Sequence, residues 1–270
     1  MATGRGVKRK PAAEISYEED GATEEATAKT DGDGGLTEVQ LSAAKDGWQE
    51  TLRLILEQRK SLVAECDLYG GMIYVAKGNT AETRYQTLVN SILAPQCRDS
   101  IIHEAVQNII EKGCTVQNVL AMGSDELCAC CSKVRMHKKK IEHILAATKQ
   151  IAEKHSGDVP QTYADLTALP GIGPKSAHFI LMVCWDKVEG VKVDTHIHRV
   201  CNRLGWVSAK TEEKTRQELQ SWLPQEYWGI DGIKKLVGFG QEICTALKPK
   251  CADCSVKHRC PSANLAGKAK

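Results

Sequence analysis

The sequence predicts an all-α fold. Three stripes of apolar residues at helical spacing carry that expectation: Trp48, Leu52 and Ile55; Tyr85, Leu88, Val89, Ile92 and Leu93; and Ile141, Ile144, Leu145, Thr148, Ile151 and Ala152. Residues three or four apart share one face of a helix, so each stripe can be buried against a common core. With 270 residues and 42% hydrophobic content, the chain can form one or two domains with a substantial interior. No run approaches the roughly eighteen apolar residues of a membrane span, so a soluble protein, expected to act as a monomer, is predicted.

The first forty residues are a different material. They hold nine acids against five bases and carry −4, which leaves +6 on the remainder of a chain whose net charge is +2. A modestly basic body permits a polyanionic partner without demanding one. The segment 1–40 is rich in Ala, Glu, Thr, Asp and Gly and lacks apolar periodicity, so disorder is expected there. Its opening Arg5-Gly6-Val7-Lys8-Arg9-Lys10-Pro11 resembles a nuclear import signal. A mitochondrial presequence would be poor in acids. The nucleus is therefore the expected compartment, with the mitochondrion as the alternative.

Helical patterning begins near Gln40. Cys66 to Asn79 reads as a loop, with Gly70-Gly71 as punctuation and Met72 to Ala76 at most a short extended piece. Gln96 follows the second stripe at a helix end. Lys138, Lys139 and Lys140 precede the third stripe and read as a positive face, solvated or in contact with phosphate.

Val159 to Ala168 can form a short helix, and Ser176 to Trp185 is apolar enough for a buried one. Between them lies Leu169-Pro170-Gly171-Ile172-Gly173-Pro174-Lys175. Gly171 and Gly173 let the backbone turn where a side chain would clash, and Pro174 suits the first turn of a helix. Outward-pointing amides at such a turn, together with the helix N-terminus, form a small positive surface that can hold a phosphate. Lys175 sits immediately inside that helix as a primary amine. Its proposed partner is Asp194 in Val193-Asp194-Thr195-His196, a position that also suits a helix N-cap.

The chain contains twelve cysteines, yet Cys128, Cys130 and Cys131 are too crowded for a simple disulfide framework, which favours a reducing compartment. Cys244, Cys251, Cys254 and Cys260 are spaced C-x6-C-x2-C-x5-C. Four thiolates in a short loop suit a [4Fe–4S] cluster or a tetrahedral zinc, and spacing alone leaves both open. Cys184 and Cys201 sit in apolar runs and are expected to be core thiols.

The hairpin with its lysine, Val193-Asp194-Thr195-His196 and the cysteine ladder, in this order, resemble the endonuclease III family of helix-hairpin-helix DNA glycosylases. Arg84-Tyr85-Gln86 leading into Leu93-Ala94-Pro95-Gln96-Cys97-Arg98-Asp99, and Val237-Gly238-Phe239-Gly240-Gln241 before the first cysteine, add to the likeness. Ala177-His178 and the nineteen-residue step from Lys175 to Asp194 look like the eukaryotic branch. The resemblance covers roughly Trp48 to Pro261. It implies two helical modules flanking a DNA-binding cleft: residues 85–194 carrying the hairpin, and 41–84 joined with 195–262 carrying a [4Fe–4S] cluster on the four cysteines, followed by a tail at 263–270.

The same resemblance implies an enzyme that removes oxidised pyrimidines from double-stranded DNA and cleaves abasic sites. Lys175 would attack the sugar, with Asp194 stabilising charge and relaying protons. A lysine amine attacks only in its neutral form, which the positive helix N-terminus and partial burial would favour. Gln96 would enter the duplex in place of the extruded nucleotide. Met136 would take the wedge position on the opposite strand and His137 the neighbouring aromatic one, where an apolar-Gly-apolar-Tyr stretch is usual. Gly171 and Gly173 would grip the backbone, and Lys250, Lys257 and Arg259 would meet phosphates beside the metal loop. Two other functions compete: a monofunctional mismatch-adenine glycosylase, whose members lack the hairpin lysine, and a catalytically silent DNA-binding module.

Overall fold

In the computed structural model, which describes residues 45–263, every regular element is helical. The expected acidic tail, with its basic run at Arg5 to Pro11, and the residues from 264 onward lie outside the described residues. Among the described residues no helix is long and apolar enough to cross a membrane.

Helix α1 (Trp48–Lys60) buries Trp48, Leu52 and Ile55, the first stripe. Two short helices follow, α2 (Glu65–Tyr69) and α3 (Met72–Val75), where a loop with an extended piece was expected. The correction has a local cause. The Asp67 carboxylate accepts the Ala64 amide at 2.8 Å and holds the Arg59 guanidinium, which starts a helix that hydropathy alone does not announce. At Gly70 a Cβ would stand 2.3 Å from the Cys66 carbonyl oxygen, so glycine permits the sharp break between the two helices.

The second stripe forms α4 (Ala81–Leu93), with Thr80 accepting the Thr83 amide as its N-cap. Helices α5 (Asp99–Glu111) and α6 (Val116–Cys130, broken at Gly123, φ 74°) lead to α7 (His137–Lys154), which carries the third stripe. Helix α8 (Tyr163–Ala168) starts later than the sequence suggested, because the Thr162 hydroxyl accepts the Asp165 amide and fixes the first turn there. Then come α9 (Pro174–Trp185), α10 (Thr195–Arg203), α11 (Glu212–Trp222) and α12 (Leu236–Glu242), with 3-10 turns at Gln225–Tyr227, Ile233–Lys235 and Cys251–Asp253.

Two apolar clusters hold these helices. In the first, Leu88 and Ile92 of α4 pack with Ile141 and Ile144 of α7 and with Ile180 and Leu181 of α9. In the second, α1 is gathered with the C-terminal helices through Leu52, Ile55, Val200, Trp206, Leu236 and Phe239. Cys184 and Cys201 are fully buried, one in each cluster, as expected of core thiols. The polypeptide crosses from the first cluster to the second between Trp185 and Val191.

Arg84 fastens the start of α4 to the loop preceding α8. Its Nε and Nη2 meet Asp158 Oδ1 and Oδ2 at 3.0 and 2.5 Å, and its guanidinium lies 4.4 Å over the Trp185 ring. Burial raises the Asp158 carboxyl, but the Arg84 hydrogen bonds and the Val159 amide outweigh it and hold the pKa below the ordinary value. A carboxylate depressed on folding adds stability that is complete above its unfolded pKa of about 3.9 and lost as pH falls through the folded one. Asp158→Asn is therefore expected to lower stability near neutral pH by about 1–2 kcal/mol. Melting curves from about pH 6 to about pH 3 should show the difference between variant and wild type shrinking as the wild-type carboxylate is protonated.

Candidate active site

The turn between α8 and α9 is closed by the Ile172 amide donating to the Leu169 carbonyl at 3.1 Å, with both side chains buried. Gly171 has φ 82°, and a Cβ there would lie 3.0 Å from His143 Cβ and 3.1 Å from Ile92 Cγ2. Both conformation and space therefore require glycine. Gly173 is extended, and a Cβ on it would meet nothing within 4 Å. The protein itself does not forbid a side chain there. Pro174 begins α9, so the amides of Lys175 and Ser176 in the first turn have no partner within the helix. Lys175 is exposed rather than partly buried.

Val191 to Asp194 lead into α10 without regular structure, and Asp194 itself is extended. Val191 and Val193 enter the second apolar cluster, while Lys192 and Asp194 turn to the opposite side. Asp194 N-caps α10: its Oδ1 accepts the His196 and Ile197 amides at 3.0 and 2.9 Å. Burial raises its carboxyl, but Lys234, the Ile197 amide, Lys192 and Lys175 together hold the pKa below the ordinary value. Asp194 is held as an anion, with Lys234 the largest of the favourable charges.

One cleft of about 960 Å³ brings together Gln96, Gly171, Gly173, Lys175 and Asp194. It also holds residues that the sequence reading passed over. The Lys192 Nζ lies 3.6 Å from the centroid of the Phe179 ring, and Lys234 Nζ lies 5.5 Å from the same centroid. Phe179 sits one turn beyond Lys175 on α9. Lys192 carried a legible signal: it stands two positions before Asp194, in alternation with the apolar Val191 and Val193.

Met136 and His137 do not line this cleft. Met136 is 56% exposed at the N-terminus of α7, with φ 57°, and Gln96 has φ 59°. Left-handed backbone costs a non-glycine residue roughly 1 kcal/mol, so surrounding bonds must hold both turns. Lys140 supplies them. Its amine is buried and donates to the Leu93 and Pro95 carbonyls at 2.7 Å each, and Cys97 Sγ accepts the Arg135 amide at 3.2 Å. Lys140 is therefore a structural bridge between the two turns, not part of a solvated or phosphate-contacting face. Lys138 and Lys139 remain exposed.

Residues 89–225 match the model of the HhH-GPD superfamily base excision DNA repair protein. Over 220 residues the chain is 37% identical to Endonuclease III-like protein 1 of Mus musculus, covering 80% of this chain and 73% of the relative. The chain belongs to the endonuclease III family. It is 34% identical over 185 residues to Endonuclease III of Thermotoga maritima, covering 68% of this chain and 85% of that one. The fold also matches the structure of a trapped endonuclease III–DNA covalent intermediate with a TM-score of 0.63 at 23% identity, covering 77% of this chain and all of that one. This endonuclease III relative is thus a base excision DNA repair enzyme whose partner is DNA.

The four cysteines of this family member line a second cavity of about 250 Å³, together with apolar side chains such as Leu204, Phe239 and Val256. None of them is in a disulfide. Among the described residues no three His, Cys, Asp or Glu side chains converge closely enough to hold a single ion. Four thiols around one largely apolar space form a soft donor set that fits a thiolate-held metal or iron–sulfur group. Lys250 and Lys257 line this cavity and not the cleft, while Arg259 lines neither and donates to Thr51 Oγ1 at 3.3 Å.

The cysteine loop is latched to α10. Arg199 donates to the Cys244 and Gly240 carbonyls at 3.1 and 2.9 Å, and Arg203 to the Thr245 and Ala246 carbonyls at 2.7 and 2.8 Å. The helix that Asp194 caps is thus the helix that grips the cysteine loop.

Proposed function

We propose that the protein is a bifunctional DNA glycosylase and AP lyase that excises oxidised pyrimidines from duplex DNA and nicks the strand through a lysine Schiff base. The observation that carries this reading is the sharing of one cleft by the Lys175 amine, at the head of the hairpin helix, and the Asp194 carboxylate. A duplex hides its glycosidic bonds, so the damaged nucleotide must be rotated out, an exchange that is cheaper where oxidation has already weakened stacking. The open space over Gly173, beside the free amides of the first turn of α9, suits a phosphate of the neighbouring backbone.

The chemistry follows from the two groups. The Lys175 amine, in the unprotonated form that attack requires, forms a bond to C1′ while the C1′–base bond breaks and the base leaves with its electron pair. Asp194 remains ionised and offsets the positive charge that develops on the sugar. The new secondary ammonium then loses a proton, its lone pair forms C=N, and the C1′–O4′ bond opens. Loss of a C2′ proton expels the 3′ phosphate and cuts the strand. Gln96 fills the space left in the duplex, and Met136 wedges the opposite strand.

Cys244, Cys251, Cys254 and Cys260 would hold a [4Fe–4S] cluster, which stiffens the basic loop and takes no part in the bond changes. With the basic run at Arg5 to Pro11, the reading extends to repair of nuclear DNA. A panel of duplexes carrying single defined lesions tests the proposal. Thymine glycol and other oxidised pyrimidines should be excised with strand cleavage accompanying base loss, and base loss that leaves the strand intact would remove the lyase half.

A further inference from the structure

The cleft contains an amine that the chemistry above leaves idle. Lys192 reaches it on the same side of the chain as Asp194, with its Nζ stacked 3.6 Å from the Phe179 centroid. Among the described residues it makes no ion pair. The charged and titratable groups facing it are Lys175 at the start of α9, Asp194 and His196 at the start of α10, Lys234 in the adjoining 3-10 turn and Asp99 at the start of α5.

We propose that Lys192 is the proton carrier of the lyase half-reaction: it takes the proton that Lys175 sheds after attack on C1′ and returns it to the ring oxygen O4′. The inference rests on the Schiff-base reading of Lys175. Each transfer balances. The secondary ammonium on C1′ gives its proton to the Lys192 lone pair. The freed lone pair on Lys175 makes C=N as the C1′–O4′ electrons move to O4′, and the Lys192 ammonium then protonates O4′ and is neutral again.

The neighbouring groups are worse placed for this work. Asp194 commits one oxygen to two amides and is held below the ordinary carboxylate pKa, so it is a weak proton acceptor. His196 Nδ1 is engaged by Arg199 at 3.2 Å. Lys192, in contrast, is pushed well below the ordinary lysine value by burial and by the Lys234 charge, which Asp194 only partly offsets. An amine shifted in that direction takes up and gives back a proton more readily than an unperturbed lysine.

The test is single-turnover cleavage of a duplex with a preformed abasic site, measured from about pH 5.5 to about pH 9. Borohydride trapping of the wild type is the control for the underlying Schiff-base reading. The wild-type rate should fall as pH drops and Lys192 is protonated. Lys192→Met and Lys192→Arg should both lose about 10²-fold or more in rate and lose that acid limb, with duplex affinity within about threefold. Arginine keeps the charge but cannot accept a proton, so wild-type rate and pH dependence in Lys192→Arg would overturn the proposal. So would a Lys192→Met variant whose affinity falls while its cleavage rate stays within about threefold, since that describes a phosphate contact. A flat wild-type profile overturns it without any variant.

Discussion

Lys175→Gln is expected to abolish borohydride trapping of the protein on abasic DNA and to reduce excision by about 10⁴-fold, with duplex affinity within about threefold. Lys175 is exposed and packs into neither apolar cluster, so its replacement should leave the melting temperature unchanged. Glutamine keeps most of the length and polarity of the side chain and removes the amine, with both its nucleophilic lone pair and its charge. Gel-resolved trapping on an abasic duplex, beside a binding isotherm for the same duplex, separates the two effects. Persistent trapping by the variant would require a different amine and would move the nucleophile away from the hairpin. Lys192 and Lys234 are then the amines to examine, since both share the cleft.

Cys251→Ser is expected to lose bound iron, to lower stability by several kcal/mol and to reduce excision by more than tenfold, although residue 251 touches no reacting atom. The cysteine loop has little apolar packing of its own. Val256 is its main buried side chain and Leu247 is 94% exposed. On the proposed cluster reading, such a loop depends on the cluster its thiolates hold as well as on its bonds to Arg199 and Arg203. If it loosens, Arg199 and Arg203 lose their carbonyl acceptors on Cys244, Thr245 and Ala246, and α10 loses its far anchor. Iron content, thermal melting and single-turnover excision, measured on one preparation, check the chain of effects. Unchanged iron and melting temperature would show that Cys251 is not a ligand.

The all-α fold was legible wherever one helix face is apolar throughout. Helices α4, α7 and α9 follow from their stripes and from Pro174, which are local features. Helices α2 and α3 were not legible, because Asp67 caps α2 while held by Arg59, itself tied to the Lys235 carbonyl far along the chain. The hairpin and the capping role of Asp194 are local and could be read. Lys140 could not be separated from Lys138 and Lys139 by composition. Helical phase distinguishes them, since residue 140 falls on the side of Ile141, Ile144 and Ile151. The bond from Arg259 to the Thr51 hydroxyl joins positions far apart in the chain, so the sequence shows the charge of Arg259 and not this partner.

The buried Lys140 amine has a mechanical consequence. Because it ties the Gln96 turn to the start of the helix that Met136 caps, bonds within the protein brace the spacing of the two turns, like the jaws of a caliper. On the reading proposed above, bending is then done by the nucleic acid, and a base step made limp by damage yields to the caliper at less energy than an intact one. Lesion search would begin as a test of stiffness along the double helix, before any base is inspected.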